Sequence, residues 1–454
     1  MEISALVIVL LFQSAPLELV ATIPLPGVSG RIDHLAYDAA RQHLFVAALG
    51  NNTVEVLDTA KGQHLRSLPG FHEPQGVAAV ADRNAIAVAN GDTGTLQLID
   101  ATTFQTRWTV NIGGDADNVR YDAAARRIYV AAVGGLFAVD PATGGSLARV
   151  AIDGHPESFQ LETAGTRVYA NLPGLLSSQI VAGDRQSVTA AAVWPAGCGG
   201  NYPMALDEST SRLFVGCRRP ARLEAIDTRT GKVTAATEVV GDTDDLFYDT
   251  VRRRVYVIGG EGFVDVVERQ GDELRRAHRI PTRSGARTGL WVASLNRLYV
   301  AVPARGGDGA EVRVFQAMPA PSAPAIVFVC EHGAAKSVIA TAYFNKLAAE
   351  RGLPYRATFR GTDPQDALSV RAVAGLKADG VAIPAGAPTA IGAADIERAT
   401  HIFAIGCTLP AAATASGKSK DWSDVPDDKG YEGQRDAIVR HVKELLDALQ
   451  RRGK

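Results

Sequence analysis

The stretch "AIVFVCEHGAAKSVIAT" (residues 325–341) holds the residues best suited to chemistry. Cys330 follows a continuous apolar run. A loop of small residues (Glu331, His332, Gly333, Ala334 and Ala335) then leads into Lys336 and Ser337. A thiol at the junction of a strand and a helix lies in the positive field of the helix N-terminus, which favours the thiolate. A loop built of small residues lets successive backbone N–H groups turn inward as an anion nest. Lys336 adds a full charge, and Ser337 can donate to the sulfur. The arrangement suits in-line attack of a thiolate on a tetrahedral oxyanion, giving a covalent thiol ester. Beyond positioning and charge stabilisation, that chemistry asks little of a protein. Two plainer readings stand beside it: a buried structural thiol, and an oxyanion-binding loop that does not catalyse.

The elements around this loop alternate. "AIVFV" (325–329) reads as a strand buried on both faces. "SVIATAYFNKLAAERGL" (337–353) has helical spacing, "YRATFRGT" (355–362) reads as a strand, and "SVRAVAGLKADG" (369–380) as a helix. "HIFAIGC" (401–407) is a second buried strand, and "YEGQRDAIVRHVKELLDALQRR" (431–452) is an amphipathic helix. Such alternation predicts an α/β doubly wound parallel sheet over 325–454, with a site at the C-terminal ends of its strands.

"VFVCEHGAAKSVIA" resembles the C-x5-R-S loop of the low-molecular-weight protein-tyrosine phosphatases and of the related thioredoxin-coupled arsenate reductases. The resemblance extends over about residues 325–450 and implies a phosphotyrosine phosphatase I-like fold. It makes Cys330 the nucleophile, Ser337 its partner, and the amides of Glu331 to Lys336 the cradle for a phosphorylated or oxyanion substrate. It also implies a general acid in the loop before the last helix, where "DWSDVPDDKG" (421–430) offers Asp427, with Asp424 as the fallback. The sequence departs from the family at Gly333, where an asparagine is usual, and at Lys336, where an arginine is. Guanidinium binds two oxygens bidentately and ammonium is a point charge, so the exchange costs about 1.5–3 kcal/mol, or roughly ten- to a hundredfold in rate. Cys407 closes "HIFAIGC". In the reductase branch a second cysteine at a comparable strand end attacks the first, and a thiol reductant then restores the pair. Otherwise Cys407 is a small buried apolar residue. No cofactor is expected apart from that reductant.

A different grammar organises residues 18–316. An apolar strand, an acid and a turn recur as "VEVLDTAKG" (54–62), "LQLIDATTF" (96–104), "LFAVDPATG" (136–144), "QIVAGDRQS" (179–187), "LEAIDTRTG" (223–231), "VDVVERQGD" (264–272) and "VRVFQ" (312–316). The strand series "HLFVAAL", "RIYVAAV", "RLFVGC", "RVYVIGG" and "RLYVAVP" runs in phase with it. Steps of 40 to 48 residues holding about four short strands match propeller blades. Seven periods are present, and the last lacks a fourth strand. "LVATIPLPG" (19–27) resembles the fourth-strand segments and is expected to close the ring. Residues 18–316 thus resemble the YVTN-type seven-bladed β-propellers. Asp33-His34, Gln75, Asp117-Asn118, Glu157-Ser158 and Asp244-Asp245 are expected at the channel mouth, as a solvated funnel or as a site for a small ligand or protein partner. "GGDADN" (113–118) and "GDTDD" (241–245) lack the ligand set of a calcium loop, and no metal is expected.

Composition sets the remaining bounds. A chain of 454 residues exceeds one ordinary core. A net charge of −2 without a basic block disfavours nucleic acid as a partner. "AMPAPSAPA" opens an Ala/Pro linker over 317–324. The apolar run from Ile3 to Phe12 is too short to span a bilayer and suits a signal-peptide core within residues 1–17, which predicts a periplasmic or secreted protein. Glu2 and the absence of a preceding cation speak instead for a buried first strand and a cytoplasmic protein. Cys198 and Cys217 flank one short segment, as a disulfide or as two buried thiols.

Overall fold

The structure, a computed structural model, describes residues 15–174, 179–184, 189–270, 273–318, 325–353 and 355–452. The chain divides into two compact units, residues 1–319 and 320–454.

The first unit is a seven-bladed β-propeller. Each blade is a four-stranded antiparallel meander, the first being Leu35–Asp38, His43–Ala48, Thr53–Asp58 and Gln63–Leu68. The seventh takes three strands from Gly289–Val292, Arg297–Val302 and Ala310–Ala317. Its fourth strand is Leu17–Leu25, antiparallel to Ala310–Ala317 with Leu17 opposite Ala317 and Leu25 opposite Ala310. The N-terminal strand therefore covers an edge that would otherwise expose unpaired backbone groups. Leu17 opens this strand and is buried, so it belongs to the propeller and not to the expected leader; residues 1–14 lie outside those described. Likewise Ala317 ends a strand and Met318 N donates to Pro16 O, so the expected linker over 317–324 starts later than its composition suggests; residues 319–324 also lie outside those described.

Apolar side chains on both faces of each blade fill the gaps between blades. One cluster joins Ile23, Val312 and Val314 of the seventh blade to Leu35, Leu44 and Val46 of the first. Another joins Phe45 and Val56 to Val77, Ile86 and Val88 of the second. The recurring acid shapes the hairpins. Asp58 Oδ1 accepts from the N–H groups of Ala60 and Lys61, both at 2.9 Å, and Asp100 Oδ1 accepts from Thr102 and Thr103, both at 2.8 Å. Gly62, Gly144 and Gly231, four residues after their acids, take φ of +65°, +73° and +70°, as the turn demands.

The second unit holds a small parallel sheet of four strands. Ala325–Cys330 lies between Arg356–Gly361 and Ala399–Ala404, and the short strand Ser419–Asp421 follows the latter. Helices α1 (Lys336–Glu350), α2 (Val370–Ala378), α3 (Ala393–Arg398), α4 (Ala411–Ala415) and α5 (Gly430–Arg452) complete it. Ile326 and Phe328 pack with Phe344 of α1 and with Ile438, Val442 and Leu446 of α5. Val327 and Val329 pack instead with Ile396 of α3 and Ala413 of α4. Both faces of the first strand are thus covered, which is why its sequence is apolar without alternation. Three elements, α3, α4 and Ser419–Asp421, have no counterpart in the sequence reading; at six, five and three residues they are too short to show a period. Among the described residues no helix is long and apolar enough to cross a membrane.

Candidate functional site

Cys330 is the last residue of its strand and is 4% exposed. Its Sγ lies 3.2 Å from Ser337 Oγ, which sits fully buried in the first turn of α1. Between them the loop is tied down by its carbonyls. Thr362 N donates to Cys330 O at 3.1 Å, Asp363 N to Glu331 O at 2.8 Å, Gln365 N to His332 O at 3.3 Å, and Ser369 N to Ala334 O at 3.0 Å. In a trans peptide each N–H points opposite its carbonyl. The amides of Glu331, His332, Gly333 and Ala335 therefore point away from the 362–369 segment, and none of them meets a hydrogen-bond acceptor among the described residues. Gly333 has φ +62°, and a Cβ there would come within 2.8 Å of Gly361 N. Glycine is thus required both by conformation and by space.

The helix start carries Lys336, whose Nζ donates to Asp427 Oδ1 at 2.6 Å. The lysine side chain is 10% exposed, the aspartate 81%. The lysine reaches that partner across Gly406, where a Cβ would stand 2.5 Å from Nζ. The sequence reading thus placed Lys336 and Asp427 at one site as anion binder and acid. The geometry joins them to each other, a link that a separation of 91 residues conceals. Asp424 is engaged elsewhere. Its oxygens accept from Arg440 Nη2 at 2.9 Å and pair with His441 Nε2 at 2.7 Å. Burial opposes ionisation there, but these partners hold the Asp424 carboxyl below the usual range.

Cys407 lies just beyond Ala399–Ala404, with Sγ 3.4 Å from Val329 O and with Ile391, Ile396 and Leu409 around it. Burial pushes its thiol up, and the neighbouring Cys330 adds to the rise. Cys330 and Cys407 are free, whereas Cys198 and Cys217 are joined as a disulfide with Cα atoms 6.1 Å apart. A large open cleft of the second unit, about 750 Å³, lies along α1 and α5 beside Tyr343, Asp379 and Arg435; no residue of the Cys330 loop lines it.

In the propeller, Gln75, Asp117, Glu157 and Asp244 share one cavity of about 440 Å³. Arg31, Tyr202, Arg218 and Arg287 also line it and were missed. Tyr202 and Arg287 could have been found by aligning the start of each innermost strand.

No family model matches the chain, and no curated protein matches its sequence. Solved structures do match. One is a crystal structure of the mitotic checkpoint complex, with 11% identity, TM-score 0.55, and cover of 66% of this chain and 91% of that one. Another is the hydrazine synthase of Kuenenia stuttgartiensis, with 14% identity, TM-score 0.56, and cover of 64% and 98%. At such identities the likeness is one of fold alone, and it agrees with the seven-bladed propeller.

Proposed function

We propose that the second unit is a phosphotyrosine phosphatase I-like, doubly wound domain that hydrolyses phosphate monoesters through a cysteinyl-phosphate intermediate. The strand order, with the first strand between the second and third, supports that topology. The observation that carries the reading is the loop around Cys330, where the carbonyls of Cys330, Glu331, His332 and Ala334 are bonded outward while the amides of Glu331, His332, Gly333 and Ala335 meet no acceptor among the described residues. Cys330 thiolate attacks phosphorus in line, the P–O bond to the alcohol breaks, and the leaving oxygen takes a proton from Asp427. Water then attacks phosphorus, returns a proton to Asp427, and releases inorganic phosphate and the thiolate. Ser337 Oγ donates to the sulfur as it leaves. As substrate binds, Lys336 passes from Asp427 to the phosphoryl oxygens, and Asp427, released from the ammonium, carries the proton that it delivers. The YVTN-type propeller serves as a binding or scaffold module, and the Cys198–Cys217 disulfide supports export to an oxidising compartment.

The nearness of Cys407 to Cys330 supports a second reading, arsenate reduction. Cys330 thiolate displaces an oxygen of arsenate as water to form an S–As bond, and Cys407 then attacks the Cys330 sulfur. As the new S–S bond forms, the S–As bond breaks with its electron pair going to arsenic, so oxidation of the two thiols supplies the two electrons that convert arsenate to arsenite; arsenite leaves, and a thiol reductant restores the pair.

The test uses the full chain with an aryl phosphate, and with arsenate plus dithiothreitol. The phosphatase reading expects phosphate release that Cys330→Ser abolishes and Cys407→Ala spares. Arsenate turnover lost in Cys407→Ala, without phosphate release in the wild type, supports the second reading. If neither activity appears, both catalytic readings fail.

A further inference from the structure

Asp427, the acid that the phosphatase reading requires, sits in a loop, residues 421–430, that leads from the sheet into α5. The entry to that loop is firmly held. Trp422 follows the strand Ser419–Asp421, and its backbone N–H donates to Ala404 O at 2.8 Å. Trp422 is buried, and its ring packs with Phe328 and Phe403 at centroid distances of 5.2 and 4.6 Å. Val425 N donates to Trp422 O at 3.3 Å, and Val425 is buried in the same core. The exit is held as well. Tyr431 and Tyr343 both donate to Asp379 Oδ2, at 2.7 and 2.6 Å, and Arg435 Nη1 donates to Asp379 Oδ1 at 3.3 Å. Gly375 makes room for the Tyr431 ring, since a Cβ there would stand 2.4 Å from it.

One side chain ties the entry to α5. Ile438 and Val442 are buried in the core, and His441, whose side chain is 17% exposed, lies at the edge of that helical face. Its ring stacks on Trp422, with centroids 4.7 Å apart and planes 14° from parallel. Its Nε2 meets Asp424 Oδ1 at 2.7 Å, while Arg440 Nη2 donates to Asp424 Oδ2 at 2.9 Å. Its Nδ1 faces Glu444 more loosely, at 3.9 Å. Beyond Val425 the loop is held sparsely. The Asp427 side chain is 81% exposed and meets Lys336 Nζ at 2.6 Å, and its backbone carbonyl accepts from Gln434 at 3.4 Å. The two anchors therefore decide where Asp427 can reach. A general acid has to come within roughly 2.6–3.2 Å of the oxygen it protonates. A misplacement of about 1 Å can cost about a hundredfold in rate.

We propose that His441 is a positioning residue for phosphate-ester cleavage: by clamping Trp422 and Asp424 to α5 it aims Asp427 at the leaving oxygen. It thereby governs proton transfer to the leaving group and not the attack of the thiolate. The inference rests on the phosphatase reading. Exposed ion pairs alone hold a loop weakly. Here the imidazole is fixed at its face by a buried indole and at its edge by a carboxylate, which sets distance and direction together. Among the described residues no hydrogen bond or ion pair joins His441 to Cys330, Ser337 or Lys336, so its effect passes through the loop. The same geometry makes Asp424 the anchor of the loop, with both oxygens engaged, and leaves the acid's role to Asp427.

The test is kcat/KM of the full chain with phenyl phosphate, whose phenoxide needs a proton to leave, and with p-nitrophenyl phosphate, whose weakly basic phenoxide does not. His441→Ala should lower the first by about tenfold or more and the second by less than about threefold. Added to Asp427→Asn, it should cause no further loss with phenyl phosphate, because both changes remove the same proton transfer. His441→Gln, which keeps an N–H for Asp424, should recover part of the loss. If His441→Ala does not fold, Asp424→Ala, at a half-exposed position, opens the same clamp and should give the same split between the esters and the same lack of additivity. Equal losses with the two esters, or multiplied losses in the double variant with Asp427→Asn, would overturn the proposal while the phosphatase reading stands. A wild type that turns over neither ester would remove that reading and this inference with it.

Discussion

The two units use opposite strategies to turn sequence into structure. In the propeller one hairpin grammar is repeated, so each position has parallels in other blades and most side chains serve packing. Asp58, Asp100 and Asp140 do the same turn-making work at three places. Its unusual residues stand out only against that repetition, as Tyr202 and Arg287 do among the strand starts. In the second unit nothing repeats. The residues with chemical potential are concentrated in one loop, and each is held by a different device: Cys330 by a strand end, Gly333 by a close approach to Gly361, Lys336 by Asp427. A repeat spreads its residues over many equivalent places, whereas a single-copy loop gathers distinct residues in one.

That contrast can be broken by substitutions that ought to affect one unit alone. Cys330→Ser should lower turnover of an aryl phosphate about a thousandfold or more, since loss of a nucleophile removes the covalent route. Asp427→Asn should cost about 10²- to 10⁴-fold with phenyl phosphate and much less with p-nitrophenyl phosphate, whose weakly basic phenoxide leaves without a proton. Equal losses with both would remove Asp427 from the acid's role. Ile23→Ala opens a cavity beneath the ring-closing strand and should cost about 2–5 kcal/mol in urea unfolding of the propeller, with turnover at the other site unchanged. The double variant Cys198→Ser with Cys217→Ser should cost about 2–4 kcal/mol in that same transition. Lys336→Met should lower kcat/KM by about ten- to a hundredfold, the worth of one charge-assisted hydrogen bond. A smaller loss would mean that Lys336 serves Asp427 and not the substrate.

The propeller was legible because period, acid and glycine recur together, and even the closing strand could be matched to its counterparts. The loop was legible because a buried strand ending in cysteine, followed by small residues, is rare by composition alone. Other features were hidden for physical reasons. The Lys336–Asp427 pair joins residues 91 apart, and no local pattern encodes it. The elements α3 and α4 are shorter than two helical turns. His34 meets Asp245 and Asn118, and both contacts depend on ring closure across distant blades. Leu17 and Ala317 read as leader and linker because their pairing with each other joins opposite ends of the propeller.

The central claim is a phosphorylated Cys330. Rapid acid quench of the full-length Asp427→Asn protein mixed with p-nitrophenyl phosphate, followed by peptide mass analysis, tests it directly, because this variant should accumulate the intermediate as its second step slows. The expected result is the mass of one phosphoryl group on the peptide containing Cys330, absent when Cys330→Ser is added. Phosphate release with no such adduct at any quench time, or an adduct that persists without Cys330, would contradict the account.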